Sequence, residues 1–473
     1  MSPACLMDAQ RVALLRRRLR ARLRGAPSGG LLSITLDLGA GDEHWLDVDL
    51  ERPLALWWAA PRGDQNGAAC ADHRLALGSA ISFSSAGRAR FAALQEAFSG
   101  LVPAWVHDDP QETGIVAAAH LGFAFAEKTF DSFPNARLVV PAILFRCQGG
   151  GRTVTFTCPV EAGEGALGFW LEALRGAGRR TPGAPPAHWV RQPSVLGEQA
   201  FISRVRAAVA DIDRRRLDKV VITRSVRWLS ESAVAPASVI GLLTRQYPEC
   251  TIFGVGERRQ SFVGATPERL FALHSGTVEA DALAGTAWLG SVAGEPSSPD
   301  LWGNKNRREH QLVADTVRAT LASTGASLEP PLMPTSMRLG QLRHLQTRIS
   351  GRLREGTGVF DLLAALHPTP AVGGVPGDQA RHWLLAQGDW RPAWYTGGIG
   401  WVDRNGDGEV VVALRCALLR GCEAELFAGA GIVAGSDPTQ ELAETEAKLT
   451  MMVAALRGTS AHSCRQVVRS ASG

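Results

Sequence analysis

Between residues 30 and 170 the apolar residues come in short runs that alternate with polar ones, and glycine, proline or polar clusters separate the runs. LLSITLDL (31–38), ALWWAA (55–60), AISFSS (80–85), ARLVVPAILF (136–145) and RTVTFTC (152–158) have this form. A period of two sends successive side chains to opposite faces of a strand, whereas a helix needs apolar residues three and four apart. The stretch therefore predicts antiparallel strands, interrupted by one helix over RARFAALQEAFSGL (88–101).

RGAGRRTPGAPPAHWVRQP (175–193) holds too much proline and glycine for a regular element and marks a connection. From about 197 onward helices and strands alternate. GEQAFISRVRAAVADIDRR, ASVIGLLTRQY, REHQLVADTVRATL and FDLLAALHP are predicted helices, while KVVITRSVRWL, SFVGATPERLFAL and TVEADALAG are predicted strands. YTGGIGWVDRNGDGEVVVALRCALL is a predicted hairpin. Its turn, DRNGDG, imitates the opening of a calcium loop, but Leu414 stands where the bidentate glutamate belongs and strand texture follows. GAGIVA, with Gly429, Gly431 and Ala434, matches a dinucleotide fingerprint only loosely, since no βαβ unit ends in a ribose-binding acid.

Composition narrows the function classes. The 473 residues are ample for one large core or two to three modest ones. Net charge is +4, but 50 Lys+Arg against 46 Asp+Glu leaves no global case for a nucleic-acid partner. The excess sits in RVALLRRRLRARLRG (11–25), with seven arginines and no acid, expected to form an exposed basic helix or frayed arm. No apolar h-region and no run of 18 apolar residues is present, so a soluble, non-exported, cytoplasmic protein without a membrane span is expected. Eight scattered cysteines without metal spacing suit reduced, mostly buried thiols.

Three sets of residues stand out chemically. Glu441, Glu444 and Lys448 fall along one side of a helix in AGAGIVAGSDPTQELAETEAKL (428–449), and with Glu309 the carboxylates offer hard oxygens suited to Mg²⁺. Surface helices are also rich in glutamate. Lys219 and Glu268 sit in apolar strand-like surroundings, where desolvation lowers a lysine pKa and raises a glutamate pKa, giving a base and an acid. The plainer alternative pairs Glu268 with Arg269. Arg415, inside an apolar run, requires an anion from the protein or from a substrate.

KVVITR, FVGATPERLF, EADALAGTA, NRREHQLV, RHLQTRISGRL, LLAALHPTPAVGG, YTGGIGWVDRNGDGEVVVALRC and AGAGIVAGSDPTQELAETEAKL occur in this order. Together they resemble the chorismate-utilising enzymes, whose members include anthranilate synthase component I, and among them the isochorismate synthases. The resemblance is dense over about 195–456 and looser before it. It implies one α/β (α+β) domain of two large, mainly antiparallel sheets packed as a sandwich with helices outside. The chain then divides into a basic arm (1–29), a strand-rich part (30–194), a chorismate-binding catalytic region (195–460) and a disordered tail (461–473).

The resemblance also implies roles. Lys219 would deprotonate the attacking water and Glu268 would protonate the departing C4 oxygen. Glu309 and Glu444 would hold Mg²⁺ at the ring carboxylate, with Glu441 and Lys448 completing that end. Tyr395, Arg415 and main-chain amides near Gly429 would hold the enolpyruvyl carboxylate. His344 would line the pocket, and Gly285 with Thr286 would admit the substrate. Ala371 in HPTPAVGG, where ammonia-adding relatives carry threonine, points to water addition, and the chain is expected to act as a monomer without an amidotransferase partner.

Two positions depart from the family pattern: Asn306 stands where the family usually has an aspartate, and Ala287-Trp288 replaces the arginine commonly found just after Ala-Gly-Thr. Salicylate synthase, aminodeoxychorismate-type synthase and a catalytically impaired chorismate-binding or nucleic-acid-associated protein are the competing expectations.

Overall fold

The structure, a computed structural model, describes residues 7–40, 56–61, 72–128, 133–177, 188–193, 197–288 and 300–458. The expected tail at 461–473, the start of the arm and most of the proline-rich connection lie outside the described residues.

Two sheets carry the chain, one of thirteen strands and one of ten among the described residues. Pairing is antiparallel except where Leu31–Ala40 runs parallel to Trp105–Asp108. N-terminal and C-terminal segments share both sheets: Leu56–Ala59 pairs with Thr251–Glu257, and Ala118–Phe123 pairs with Gly398–Asp403. The strand-rich part is thus built into the same sheets as the catalytic region.

Alternation along the strands sorts side chains to the two faces. In Thr251–Glu257, Ile252 packs outward beneath the helix Pro236–Gln246, while Phe253 and Val255 point inward. The inner layer joins Trp58, Phe253 and Phe262 of the larger sheet to Ile399 and Val411 of the smaller. Helices Arg90–Leu101, Asn304–Ser323 and Val359–Leu366 cover the outside of the smaller sheet. This is the α/β sandwich that the resemblance implies.

Three predicted continuous strands are each two strands in different sheets. ARLVVPAILF divides into Ala136–Val140 and Ile143–Gln148, SFVGATPERLFAL into Gln260–Thr266 and Arg269–His274, and the second arm of the hairpin into Gly408–Val412 and Cys416–Arg420. The first two break beside proline, which cannot donate to a ladder. The third breaks at Arg415, which has a positive φ of 48°. A run buried on both faces shows no change of period where it changes sheet, so the breaks were invisible to periodicity.

The basic arm is a helix, Ala9–Leu23, but not a detached one. Leu15 and Leu19 are fully buried in the core, and Arg18 and Arg22 both bond the buried Asp108. Arg11 also bonds Asp37 O and Arg20 bonds Glu164, while Arg16 and Arg17 are exposed. The connection also contributes a short strand, Trp189–Arg191, paired with Lys219–Ser230. DRNGDG is a hairpin turn in which Asp403 accepts from the backbone amides of Asn405 and Asp407. No helix among the described residues is long and apolar enough to cross a membrane.

Candidate active site

The chain changes sheet at Pro267-Glu268 and again at Leu414-Arg415, and these two crossovers lie side by side. Val412 N–H donates to Glu268 O at 3.0 Å, Thr266 Oγ1 donates to Val412 O at 2.7 Å, and Ala265 N–H donates to Arg415 O at 3.1 Å. The gap they open between the sheets is a cleft lined by Lys219, Glu268, Gly285, Thr286, Glu309 and His344. Ala371, Tyr395, Arg415, Gly429, Glu444 and Lys448 complete its wall. Twelve of the thirteen expected site residues therefore meet in one place. Glu441 stands behind the wall rather than on it.

Glu268 is buried, and burial pushes its carboxyl up to about 8, with Lys219 opposing and Asp281 adding to the rise. The proposed pairing with Arg269 does not form, because Arg269 turns to Glu279 at 2.9 Å. A carboxyl in this state keeps its proton at neutral pH and is equipped to give it up. Lys219, 1% exposed, is not alone in an apolar site: its Nζ lies 3.0 Å from Oε1 of Glu309.

Each carboxylate at the polar end has a lysine. Lys448 Nζ is 2.6 Å from Glu444 Oε1 and donates to Gly429 O at 2.8 Å, and Lys305 Nζ is 2.6 Å from Glu441 Oε1. Burial, and next the charge of Glu444, push Glu441 up to about 7, whereas the Lys448 ammonium holds Glu444 below the usual range against its own burial. Among the described residues no three His, Cys, Asp or Glu side chains are gathered closely enough to hold a metal ion. The donors nevertheless suit Mg²⁺ in kind: Glu309 and Glu444 are hard carboxylate oxygens on the cleft wall, and magnesium needs only one or two protein carboxylates beside waters and substrate oxygens.

Arg415 is buried, and among the described residues no carboxylate lies within ion-pairing distance of it. Its Nη2 donates to His344 Nε2 at 3.2 Å. Burial, and then the Arg415 charge, push the imidazole down to about 3, so His344 is neutral. A guanidinium withdrawn from water without a counter-ion is costly, and a cleft that pays this cost is prepared for an anionic occupant.

Two glycines have specific work. A Cβ on Gly429 would stand 3.2 Å from the Tyr395 hydroxyl, and one on Gly431 would collide with Glu309 Oε1 and approach Lys219 Cε at 3.0 Å. From the sequence, the glycines before the helix are expected to clear side chains from where the substrate would lie; at Gly431 the space is taken by Glu309 and Lys219. The helix start behind it is closed to phosphate in any case, because Asp437 caps the amides of Thr439 and Gln440.

Arg391 was missed altogether. Its guanidinium, 1% exposed, bonds Asp389, Val372 O, Val221 O and Thr396 Oγ1, and lies 3.7 Å from the Phe125 ring centre. It ties three wall segments together and holds Thr396, a β-branched residue at a positive φ of 58°. Two of its four partners are backbone carbonyls of distant segments, which leave no signal in the sequence.

A protein-family model described as chorismate binding enzyme matches residues 55–457. The chain is 34% identical over 396 residues to the salicylate biosynthesis isochorismate synthase of Pseudomonas aeruginosa, covering 80% of this chain and 82% of that protein. It is 31% identical over 337 residues to isochorismate synthase MenF of Bacillus subtilis, covering 70% and 71%. The solved structure of the menaquinone-specific isochorismate synthase MenF from Escherichia coli has the same fold, with a TM-score of 0.74 over 94% of this chain and 99% of that one at 24% identity.

Proposed function

Because the chain belongs to the chorismate-binding enzymes, we propose that it is an Mg²⁺-dependent isochorismate synthase, a cytoplasmic monomer that supplies a menaquinone, siderophore or salicylate route. The reaction adds water-derived hydroxyl at C2 of chorismate, shifts the ring double bonds and expels the C4 hydroxyl. One base and one acid suffice. Lys219 takes a proton from the attacking water, and Glu268 gives one to the departing oxygen, so atoms and charge balance and the net change is an isomerisation.

The observation that carries this reading is Glu268, a carboxyl kept protonated at neutral pH in one cleft with Lys219. Relatives whose names specify isochorismate synthesis, covering up to 80% of this chain, support the same reaction. Chorismate carries two carboxylates. Arg415, with the Tyr395 hydroxyl and the backbone near Gly429, holds the enolpyruvyl carboxylate, and Lys448 lies at the other end. Glu309 and Glu444 would hold Mg²⁺, with Glu441 acting from behind through water; when bound, the ion neutralises the ring carboxylate. Ala371, without a hydroxyl, and Val372 leave this wall apolar.

The test is to incubate purified protein with chorismate and Mg²⁺ and identify the product. Turnover unchanged by Lys219→Ala or Glu268→Gln would overturn the assignment of base and acid.

A further inference from the structure

We infer that Asn306 is a positioning residue for the proposed reaction: through Thr286 and His344, its side-chain amide fixes the Arg415 guanidinium and the Glu444 carboxylate. The inference rests on the function proposed above.

Asn306 lies in the first turn of the helix Asn304–Ser323 and is 5% exposed. Its Oδ1 accepts from Thr286 N–H at 3.3 Å, and its Nδ2 donates to Thr286 O at 3.3 Å and to Asp300 O at 2.9 Å. The orientation is determined by these partners, since the reverse would set an oxygen against two carbonyls and an NH₂ against an N–H. The side chain thus behaves as a strand edge. It is needed there because the strand Thr277–Trp288 is paired on one side by Leu342–Arg352, whereas on the other Arg269–His274 reaches only as far as Glu279.

The local backbone requires holding. Register shifts between Ala284 and Thr286, and Gly285 in the bulge has a positive φ of 78°. A Cβ on Gly285 would stand 3.0 Å from Asn306 O, so the bulge and the helix start fit only with glycine between them.

From Thr286 a chain of hydrogen bonds runs in a direction that chemistry fixes. Arginine can only donate, so His344 Nε2 accepts from Arg415 at 3.2 Å, which places the ring proton on Nδ1. Nδ1–H then donates to Thr286 Oγ1 at 3.3 Å, and the threonine hydroxyl in turn donates a hydrogen bond to Glu444 Oε1 at 3.3 Å. Thr286 is the middle link, and Asn306 holds it by both backbone groups. Loss of the clamp should loosen the groups that bind the substrate's anionic ends. Lys219 and Glu268 lie on other segments and keep their places.

Four variants test this: Asn306→Asp, which would face two carbonyls with a carboxylate, Asn306→Ala, Thr286→Val and Thr286→Ser. Chorismate KM and kcat would be measured with chorismate affinity by calorimetry and thermal midpoints. Both Asn306 variants should raise KM about tenfold or more, the range expected when a buried hydrogen bond is broken, with kcat within about threefold. Thr286→Ser should restore what Thr286→Val loses, and Asn306→Ala on top of Thr286→Val should add little. Unchanged KM in Thr286→Val, multiplicative losses in the double variant, or a lowered midpoint with unchanged KM would overturn the inference. Should the Asn306 variants fail to fold, Thr286→Val against Thr286→Ser decides it. Failure of the functional reading is separate, since it appears in the unmodified protein as an absence of isochorismate.

Discussion

The side-chain nitrogen of Lys219 lies 3.0 Å from Oε1 of Glu309, so the residue proposed as the base is paired with one of the carboxylates proposed to hold the metal. The contact exists because Gly431, on the neighbouring strand, has no side chain to occupy the same space. Gly431→Ala should therefore displace the carboxylate, lowering kcat/KM by about a hundredfold or more for a misplacement near 1 Å. Circular dichroism should stay native, since alanine is readily accommodated in a strand; full activity would contradict this use of the glycine.

The acid gives a pH prediction with a definite sign. Glu268 must carry its proton to act, so kcat/KM should fall as pH rises through about 8. A carboxyl whose folded pKa is raised stabilises the fold most below its unfolded value, near 4.3, and that contribution is lost as pH climbs toward about 8. Glu268→Gln should thus abolish turnover yet melt higher than the parent, the gap widening across that window. A lower midpoint at pH 8 would contradict it.

Arg415 is a buried charge without a carboxylate partner among the described residues. Arg415→Met should weaken chorismate binding by about a hundredfold, as expected for loss of a charge-assisted contact, while leaving the thermal midpoint unchanged or raised. Calorimetry and melting curves read both. A strongly destabilised variant would mean that the guanidinium serves the fold.

The two helix carboxylates should separate under metal titration. Glu444 lines the cleft, whereas Glu441 stands behind it, 1% exposed, and is bonded to Lys305. Glu444→Gln should raise the Mg²⁺ concentration for half-maximal activity by about tenfold or more, and Glu441→Gln by less. The reverse ranking would exchange their roles.

Strand texture and most helices were legible from their periods, though the helices Gly165–Ala177 and Gly377–Ala386 were not foreseen. Lys219, Glu268, Glu309, Arg415, Glu444 and Lys448 stood out as ionisable groups in apolar runs or on probable helices, whereas Gly285, Thr286, His344, Ala371, Tyr395 and Gly429 were expected only from the family resemblance. Changes of sheet were not legible, since SFVGATPERLFAL is apolar on both sides of Pro267 and only long-range pairing separates its halves. The Arg-rich helix looked detached because its charges dominate the segment, yet Leu15 and Leu19 anchor it. The place of Arg391 and the role of Asn306 were illegible for a third reason: Asn306 bonds the backbone of Thr286 and Asp300, and Arg391 the carbonyls of Val221 and Val372, and backbone groups carry no residue identity.

The most direct measurement is product identification from purified protein, chorismate and Mg²⁺, in a short incubation with and without ammonia and with and without chelator. Isochorismate as the product, unaffected by ammonia and abolished by chelation, is the predicted result. Salicylate with pyruvate, an aminated product, or no turnover of chorismate would contradict it.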